Sequence, residues 1–267
     1  MTVLQLPTDK MQAHVEDGIG WMIYNNPARH NAMSLEMQQA VPTILEAFRD
    51  DPDVRVVVVT GAGGKAFVSG ADISEFGEKR TAPEARAVYD DAAAAAGRAW
   101  SSVEKPIIAM IRGFCIGGGM ITALSTDIRI AAEDSQFGVP AARLGLGYGY
   151  GGVEKLNSVV GPAWTAEILY SARRLNAAEA LAIGLVNRVV PADQLESTVR
   201  DLAAQIAANA PLTLRAFKAA LHEVQRDPSK RDLDRVATMI EACFRSDDYK
   251  EGQQAFLEKR PPTFRGQ

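Results

Sequence analysis

Two uninterrupted apolar runs mark the buried part of this chain: Val56-Val57-Val58-Val59 and Ile107-Ile108-Ala109-Met110-Ile111. β-Branched residues with no polar break predict strands buried on both faces, hence a sheet covered by helices on each side. Ile19 to Asn25 reads as a further strand that turns at Asn25-Asn26-Pro27, and Val186 to Val190 as a short one. Asp127-Ile128-Arg129-Ile130-Ala131 alternates polar and apolar residues, the pattern of a half-buried strand. Helical spacing predicts a helix from Leu35 to about Arg49, capped by Ser34 and stopped by Asp51-Pro52. Met37 stands where a capping box needs Glu or Gln, so none forms. Pro83 to Val103 reads as a helix whose alanine run, Ala92 to Ala96, reflects helix propensity.

Gly118 to Ser125 predicts a short helix, and Gly145 to Gly152 is too rich in glycine for an element interior, so it reads as a loop. Later segments are helical: Ala163–Tyr170, Ala177–Gly184, Ala192–Ala208, Leu212–Arg226, Asp232–Ser246 and Tyr249–Lys259. Strands dominate the first part and helices the last. This predicts an α/β core over residues 1–191 carrying the ligand site, and a helical region over 192–267.

Composition narrows the function classes. The 267 residues are 47% hydrophobic and 23% charged, an ordinary globular balance large enough for a sizeable core. A net charge of -4 leaves no electrostatic footprint for nucleic acid. No apolar stretch has the length of a membrane span, and Met1 to Lys10 lacks a signal-peptide pattern. Two cysteines, Cys115 and Cys243, fit a reducing compartment, so a cytoplasmic location is expected. His14, His30 and His222 do not cluster with other ligands at metal spacing, and no metal site is expected.

The chemistry lies in two glycine turns, each expected to follow a buried strand and open into a helix. One is Lys65-Ala66-Phe67-Val68-Ser69-Gly70-Ala71-Asp72; the other is Gly113-Phe114-Cys115-Ile116-Gly117-Gly118-Gly119. Two such turns can aim backbone N–H groups at one point, where they stabilise an oxyanion. Helix N-termini add positive potential there.

These residues resemble the crotonase family, the enoyl-CoA hydratase/isomerase group. Asn25-Asn26-Pro27-Ala28-Arg29-His30-Asn31-Ala32-Met33 is similar to the family's N-x-P-x-x-x-N-A-L segment. Phe67 to Asp72 resembles its first oxyanion turn. Lys105 to Ala109 with Gly113 and Gly117-Gly118-Gly119 resembles its second. Asp127 to Ala131, Gln136-Phe137-Gly138 and Phe256-Leu257-Glu258-Lys259-Arg260 match further segments in the same order.

The resemblance implies an α/β spiral of ββα units ending in helices that support trimerisation, as a homotrimer or a dimer of trimers. It implies an acyl-CoA thioester as ligand, with no cofactor beyond the CoA moiety. The N–H groups of Ala71 and Gly118 would bond the thioester oxygen, and Gly118 would let the ligand approach the backbone. CoA contacts would fall at Arg29, Ala71, Asp72, Ile73, Phe256 and Lys259, the last two near the nucleotide and in some relatives across a subunit boundary.

Family hydratases use two glutamates on water. Those positions fall at Ile121 and Ala141 here, and the acidic position of dienoyl-CoA isomerase relatives falls at about Gly149. Without these acids, ordinary water addition should be badly impaired. Tyr148, Tyr150 and Glu154 are the first replacements to consider as acid or base, with Arg143 behind them. Asp72 fits a structural helix cap and Cys115 a buried structural thiol. His30 fits an exposed turn, and Asp90 and Asp91, beside Tyr89, a solvated helix face. Three readings stay open. One is an enolate-stabilising acyl-CoA enzyme, another an atypical hydratase using Tyr148, Tyr150 or Glu154, and the third a catalytically silent acyl-CoA-binding protein.

Overall fold

A computed structural model describes residues 1–72 and 83–267. The chain begins with three antiparallel strands, β1 (Thr2–Val3), β2 (Met11–Glu16) and β3 (Ile19–Tyr24). Asp17 and Gly18, both at positive φ, make the two-residue turn that joins β2 to β3, because that backbone twist matches paired strands. Helix α1 (Leu35–Asp50) then carries the chain to β4 (Val56–Gly61), which lies parallel to β3. The Ser34 hydroxyl accepts from the Met37 N–H and starts α1, as its sequence predicts.

From β4 the chain repeats one pattern. A strand of the main sheet is followed by a three-residue strand of a second sheet, and then by a helix. β4 is followed by β5 (Ala66–Val68) and, beyond the undescribed residues 73–82, by α2 (Pro83–Ser102). β6 (Ile107–Ile111) is followed by β7 (Phe114–Ile116) and α3 (Gly118–Leu124). β8 (Ile128–Ala132) is followed by β9 (Gln136–Gly138) and α4 (Tyr150–Ser171). The main sheet runs β1-β2-β3-β4-β6-β8-β11, closed by β11 (Arg188–Val190). The smaller runs β10-β9-β7-β5, with β10 (Leu175–Asn176) antiparallel to β9. Helix α5 (Ala177–Ala182) follows, its Asn176–Glu179 capping box holding both reciprocal bonds.

Sequence pattern missed the short strands, so each glycine turn follows a second-sheet strand rather than β4 or β6 directly. Three residues are too few to show a period. Two further expectations are corrected. The loop predicted over 145–152 ends at Gly149, and α4 starts at Tyr150, thirteen residues before the predicted Ala163. It bends at Gly161, whose φ of 75° lies outside helical space, and Pro162 follows at the break. Strand β8 is buried on both faces rather than one, because helices and the second sheet cover both sides. Its Arg129 tolerates burial because Nε donates to the Leu185 carbonyl at 2.7 Å and Nη1 to that of Thr126 at 2.8 Å.

Successive side chains of a strand face opposite ways, and β4 shows the result. Val57 and Val59 enter a core with Tyr24, Ile44, Phe48 and Phe67, while Val56 and Val58 enter another with Trp21, Ile108 and Ile130. All four valines are fully buried, worth about 1.5–3 kcal/mol each. Helix α6 (Leu195–Ala207) covers the second core through Leu195, Val199 and Ala203. Helices α7 (Pro211–Gln225), α8 (Leu233–Arg245) and α9 (Asp247–Glu258) complete the chain. α8 buries no residue fully and leaves Ile240 and Phe244 exposed. An apolar cavity of about 640 Å³ lies against Phe217, Ile240, Phe244, Phe256 and Phe264.

Candidate active site

The two glycine turns meet. Gly70 has φ 111° and Gly117 has φ 55°, conformations that side chains rarely adopt, so glycine is required at both. A Cβ added to Gly117 would lie 3.7 Å from the Gly70 Cα, and one added to Gly118 would lie 3.8 Å from the Ala71 nitrogen. Gly119 packs α3 onto β5 so closely that a Cβ would stand 2.1 Å from the Val68 carbonyl oxygen.

Backbone pairing fixes where the donors point. Met33 forms a parallel bridge with Ala71. The Met33 N–H donates to the Gly70 carbonyl at 2.8 Å, and the Asp72 N–H donates to the Met33 carbonyl at 2.9 Å. Alternate peptides of an extended segment face opposite sides, so the Ala71 N–H points away from this bridge. The Gly117 N–H donates to the Gly138 carbonyl at 2.8 Å and anchors the second turn on β9. Gly118 is the first residue of α3, where an N–H has no intrahelical acceptor. Among the described residues, neither the Ala71 nor the Gly118 N–H takes part in the bonds that hold the two turns.

Asn31 locks the first turn in place. It is fully buried, its Oδ1 accepts from the Asn26 N–H at 2.8 Å, and its Nδ2 donates to the carbonyls of Ala62 (3.0 Å) and Ala66 (2.7 Å). Sequence reading found its motif but not this role, because two of the three partners, Ala62 and Ala66, lie in a segment remote along the chain. Lys155 was missed as well. Its Nζ donates to the Ser125 hydroxyl at 2.6 Å, which in turn donates to the Ile121 carbonyl at 2.8 Å, and burial lowers its pKa.

The predicted acid or base residues separate. Tyr148 lies partly buried, with its hydroxyl donating to the Gly117 carbonyl at 3.5 Å. A Cβ on Gly152 would fall 2.7 Å from the Tyr148 Cε1 and 3.4 Å from the Ile121 Cδ1, so Gly152 makes room for the ring beside Ile121. Burial raises the phenol's pKa, which keeps it protonated near neutrality. Tyr150, two residues on, opens α4 and is 79% exposed. Glu154 on the same helix is exposed too, as is Arg143 in the turn at Pro140–Leu144. Ala141, in that turn, packs partly buried against the main core.

Arg29 and Asp72 approach to 4.0 Å beside Ala71. Ile73 lies outside the described residues, and so does the start of any helix that Asp72 would cap. Phe256 is 83% exposed on α9, and Lys259 is that helix's C-terminal cap at φ 54°. The cavity that Phe256 lines is formed wholly by residues after 209, so it does not contain the glycine junction. Cys115 is fully buried and its thiol pKa is raised by that burial, which fits the structural reading. His30 is exposed and meets the edge of Phe114; Tyr89 is buried while Asp90 and Asp91 are exposed. Among the described residues, no group of three or more His, Cys, Asp or Glu could hold a metal, and no helix is long and apolar enough to cross a membrane.

The family model described as enoyl-CoA hydratase/isomerase matches residues 14–267. A crotonyl-CoA hydratase from Syntrophomonas wolfei is 37% identical over 249 residues, covering 93% of this chain and 95% of that protein. A short-chain-enoyl-CoA hydratase from Clostridium acetobutylicum is 35% identical, covering 92% and 93%. Among solved structures, an enoyl-CoA hydratase/carnithine racemase from Magnetospirillum magneticum superposes with a TM-score of 0.90 at 35% identity, covering 97% of each chain.

Proposed function

The chain belongs to the enoyl-CoA hydratase/isomerase family and has the crotonase fold, and from that premise we propose that its glycine junction is an oxyanion hole for an acyl-CoA thioester. One observation supports the reading: the Gly118 backbone lies against Ala71, a Cβ there falling 3.8 Å from the Ala71 nitrogen, and among the described residues neither N–H takes part in the bonds that anchor the two turns. Loss of a proton from the carbon next to a thioester carbonyl to a base or to water, or loss of carbon dioxide from a carboxyl group on that carbon, leaves the electron pair of the broken bond as negative charge on the carbonyl oxygen. Two fixed donors at that oxygen stabilise the enolate by roughly 3 kcal/mol each.

The reaction proposed is enolate chemistry at Cα, such as isomerisation, decarboxylation or C–C cleavage, rather than ordinary hydration. The relatives' names speak for hydration, but Ile121 and Ala141 carry no ionisable group. A hydratase reading in which Tyr148 handles water has one observation in its favour, the phenol at the Gly117 carbonyl. Tyr150 and Glu154 are exposed on α4, and among the described residues no contact places either at the junction. Deuterium exchange separates the readings. In D2O, butyryl-CoA should gain label at Cα while crotonyl-CoA undergoes no net hydration. A silent binding protein would label no member of a panel of acyl-CoAs, and that result would remove the enolate assignment.

For CoA itself, Arg29 is the proposed phosphate partner, with Asp72, 4.0 Å from it, and Ile73 as further proposed contacts. Phe256 and Lys259 are proposed to meet the nucleotide once subunits assemble, since they sit on the helical region. The reaction as proposed calls on no cofactor beyond the CoA moiety. The exposed apolar side chains of α7 to α9, among them Phe217, Leu221, Ile240 and Phe244, suit burial against further copies. Light scattering at micromolar concentration should give a trimer or a pair of trimers, and a monomer would contradict this assembly.

A further inference from the structure

Away from the glycine junction, a cleft of about 270 Å³ opens between the α/β core and the start of α7. Five cationic side chains from four stretches of chain line it: Arg49, Arg55, Lys105, Arg215 and Arg265. One carboxylate, Asp50, lines it with them among the described residues. Asp50 is taken by Arg49, which donates to it through Nε at 2.7 Å and Nη2 at 2.9 Å. Arg215 pairs with Glu104, outside the lining, and Glu104 also binds Arg235 at 2.6 Å.

The other three cations form no ion pair within 4.0 Å among the described residues. Arg55 is held by carbonyls, donating to Asn209 at 3.1 Å and Phe264 at 3.3 Å. Lys105 likewise donates to the carbonyls of Phe48 at 2.7 Å and Asp51 at 2.5 Å. These contacts orient the positive groups without an ion pair, and carboxylates act on them only at longer range, Asp248 on Arg55 and Asp51 and Asp50 on Lys105. Five cations around one space cost electrostatic energy that an anion in that space would reverse.

We propose that this cleft is an anion-binding site for a compact, multivalent phosphate-bearing anion. Donors from separate segments surround the space rather than forming one planar fork. A tetrahedral oxyanion with several acceptor oxygens can engage several of them at once, whereas a carboxylate satisfies one guanidinium. Burial is the main cause pulling the Lys105 pKa down to about 8; among the charges around it Asp51 acts most strongly and raises it, as Asp50 does, while Arg215 and Arg55 lower it. Because Arg265 and Gly266 belong to the C-terminal segment and Arg49 and Lys105 to the core, a bound anion would clamp that segment down. The site shares no lining residue with the oxyanion junction or with Arg29.

The test uses the full chain, with pyrophosphate and inorganic phosphate as probes and sodium chloride at matched ionic strength as control. Calorimetric titration and thermal unfolding should show pyrophosphate binding and stabilising more than phosphate, and phosphate more than chloride. Arg265→Glu should weaken pyrophosphate at least about tenfold, and Arg265→Gln by less. Among the described residues the Arg265 side chain forms no ion pair within 4.0 Å, and Glu251 feels it only at longer range; should the glutamate variant nevertheless fail to fold, the glutamine variant decides by weakened binding. Saturating CoA should leave pyrophosphate affinity unchanged. Stabilisation no greater than that of chloride would overturn the proposal. So would unchanged affinity in the folded Arg265 variants, or competition with CoA, which would assign the anion to the CoA site.

Discussion

Turnover on the true substrate should fall at least about a hundredfold when Gly118 is replaced by proline, because the substitution deletes one of the two donors proposed to hold the thioester oxygen. The position suits the experiment. Gly118 is the first residue of α3, where helices accept proline since that N–H has no partner inside the helix. An added Cβ meets nothing closer than 3.8 Å. Gly118→Ala separates the two roles of this glycine: it keeps the N–H but adds a Cβ where the ligand approaches the backbone, so it should raise KM more than it lowers kcat. Ala71→Pro should reproduce the loss from the other side, because the Met33 bridge uses the Gly70 carbonyl and the Asp72 N–H and not the Ala71 N–H. Circular dichroism and thermal unfolding report whether each variant folds. Undiminished turnover in a folded Gly118→Pro variant would rule out the oxyanion assignment.

Hydration of crotonyl-CoA by the unaltered protein should be very slow or undetectable. General acid–base catalysis contributes on the order of a hundred- to ten-thousandfold, and neither Ile121 nor Ala141 can supply it. Changing both to glutamate should restore some hydratase activity if the pocket also admits a water. Both sites are partly buried, which would raise a carboxyl's pKa toward the range useful near neutrality. At position 121 the new side chain must share space with the Tyr148 ring, so Tyr148→Phe belongs in the same series. Turnover of crotonyl-CoA above roughly 10 per second by the unaltered protein would show that the missing glutamates are dispensable. Tyr148→Phe should then abolish it, since Tyr148 is the candidate that reaches the junction.

What the sequence by itself determined is local. The valine run of β4 and the isoleucine run of β6 are strands because β-branched residues favour extended backbone and leave no polar face for water. Ser34 starts α1 because its hydroxyl satisfies a free helix N–H within three residues. The glycines of the two turns were legible because their spacing follows from backbone geometry, which glycine alone permits. The absence of acids at 121 and 141 was equally plain, given the family resemblance.

Tertiary structure decided everything that depends on distant partners. β5, β7 and β9 exist because they pair with one another across the chain, and three residues carry no period from which to infer it. Helix α4 starts inside a glycine-rich stretch because packing against α3 and the turn at 140–144 outweighs weak helix propensity there. That boundary separates two tyrosines which look equivalent in sequence. Tyr148 lies before it and turns inward over Gly152, while Tyr150 lies in the first helical turn and faces outward. The meeting of Ala71 with Gly118, the clamp made by Asn31 and the cationic cleft joining residues 49 to 265 share one cause. Each is a juxtaposition of segments remote along the chain, and only the closing of the core brings them within reach of one another.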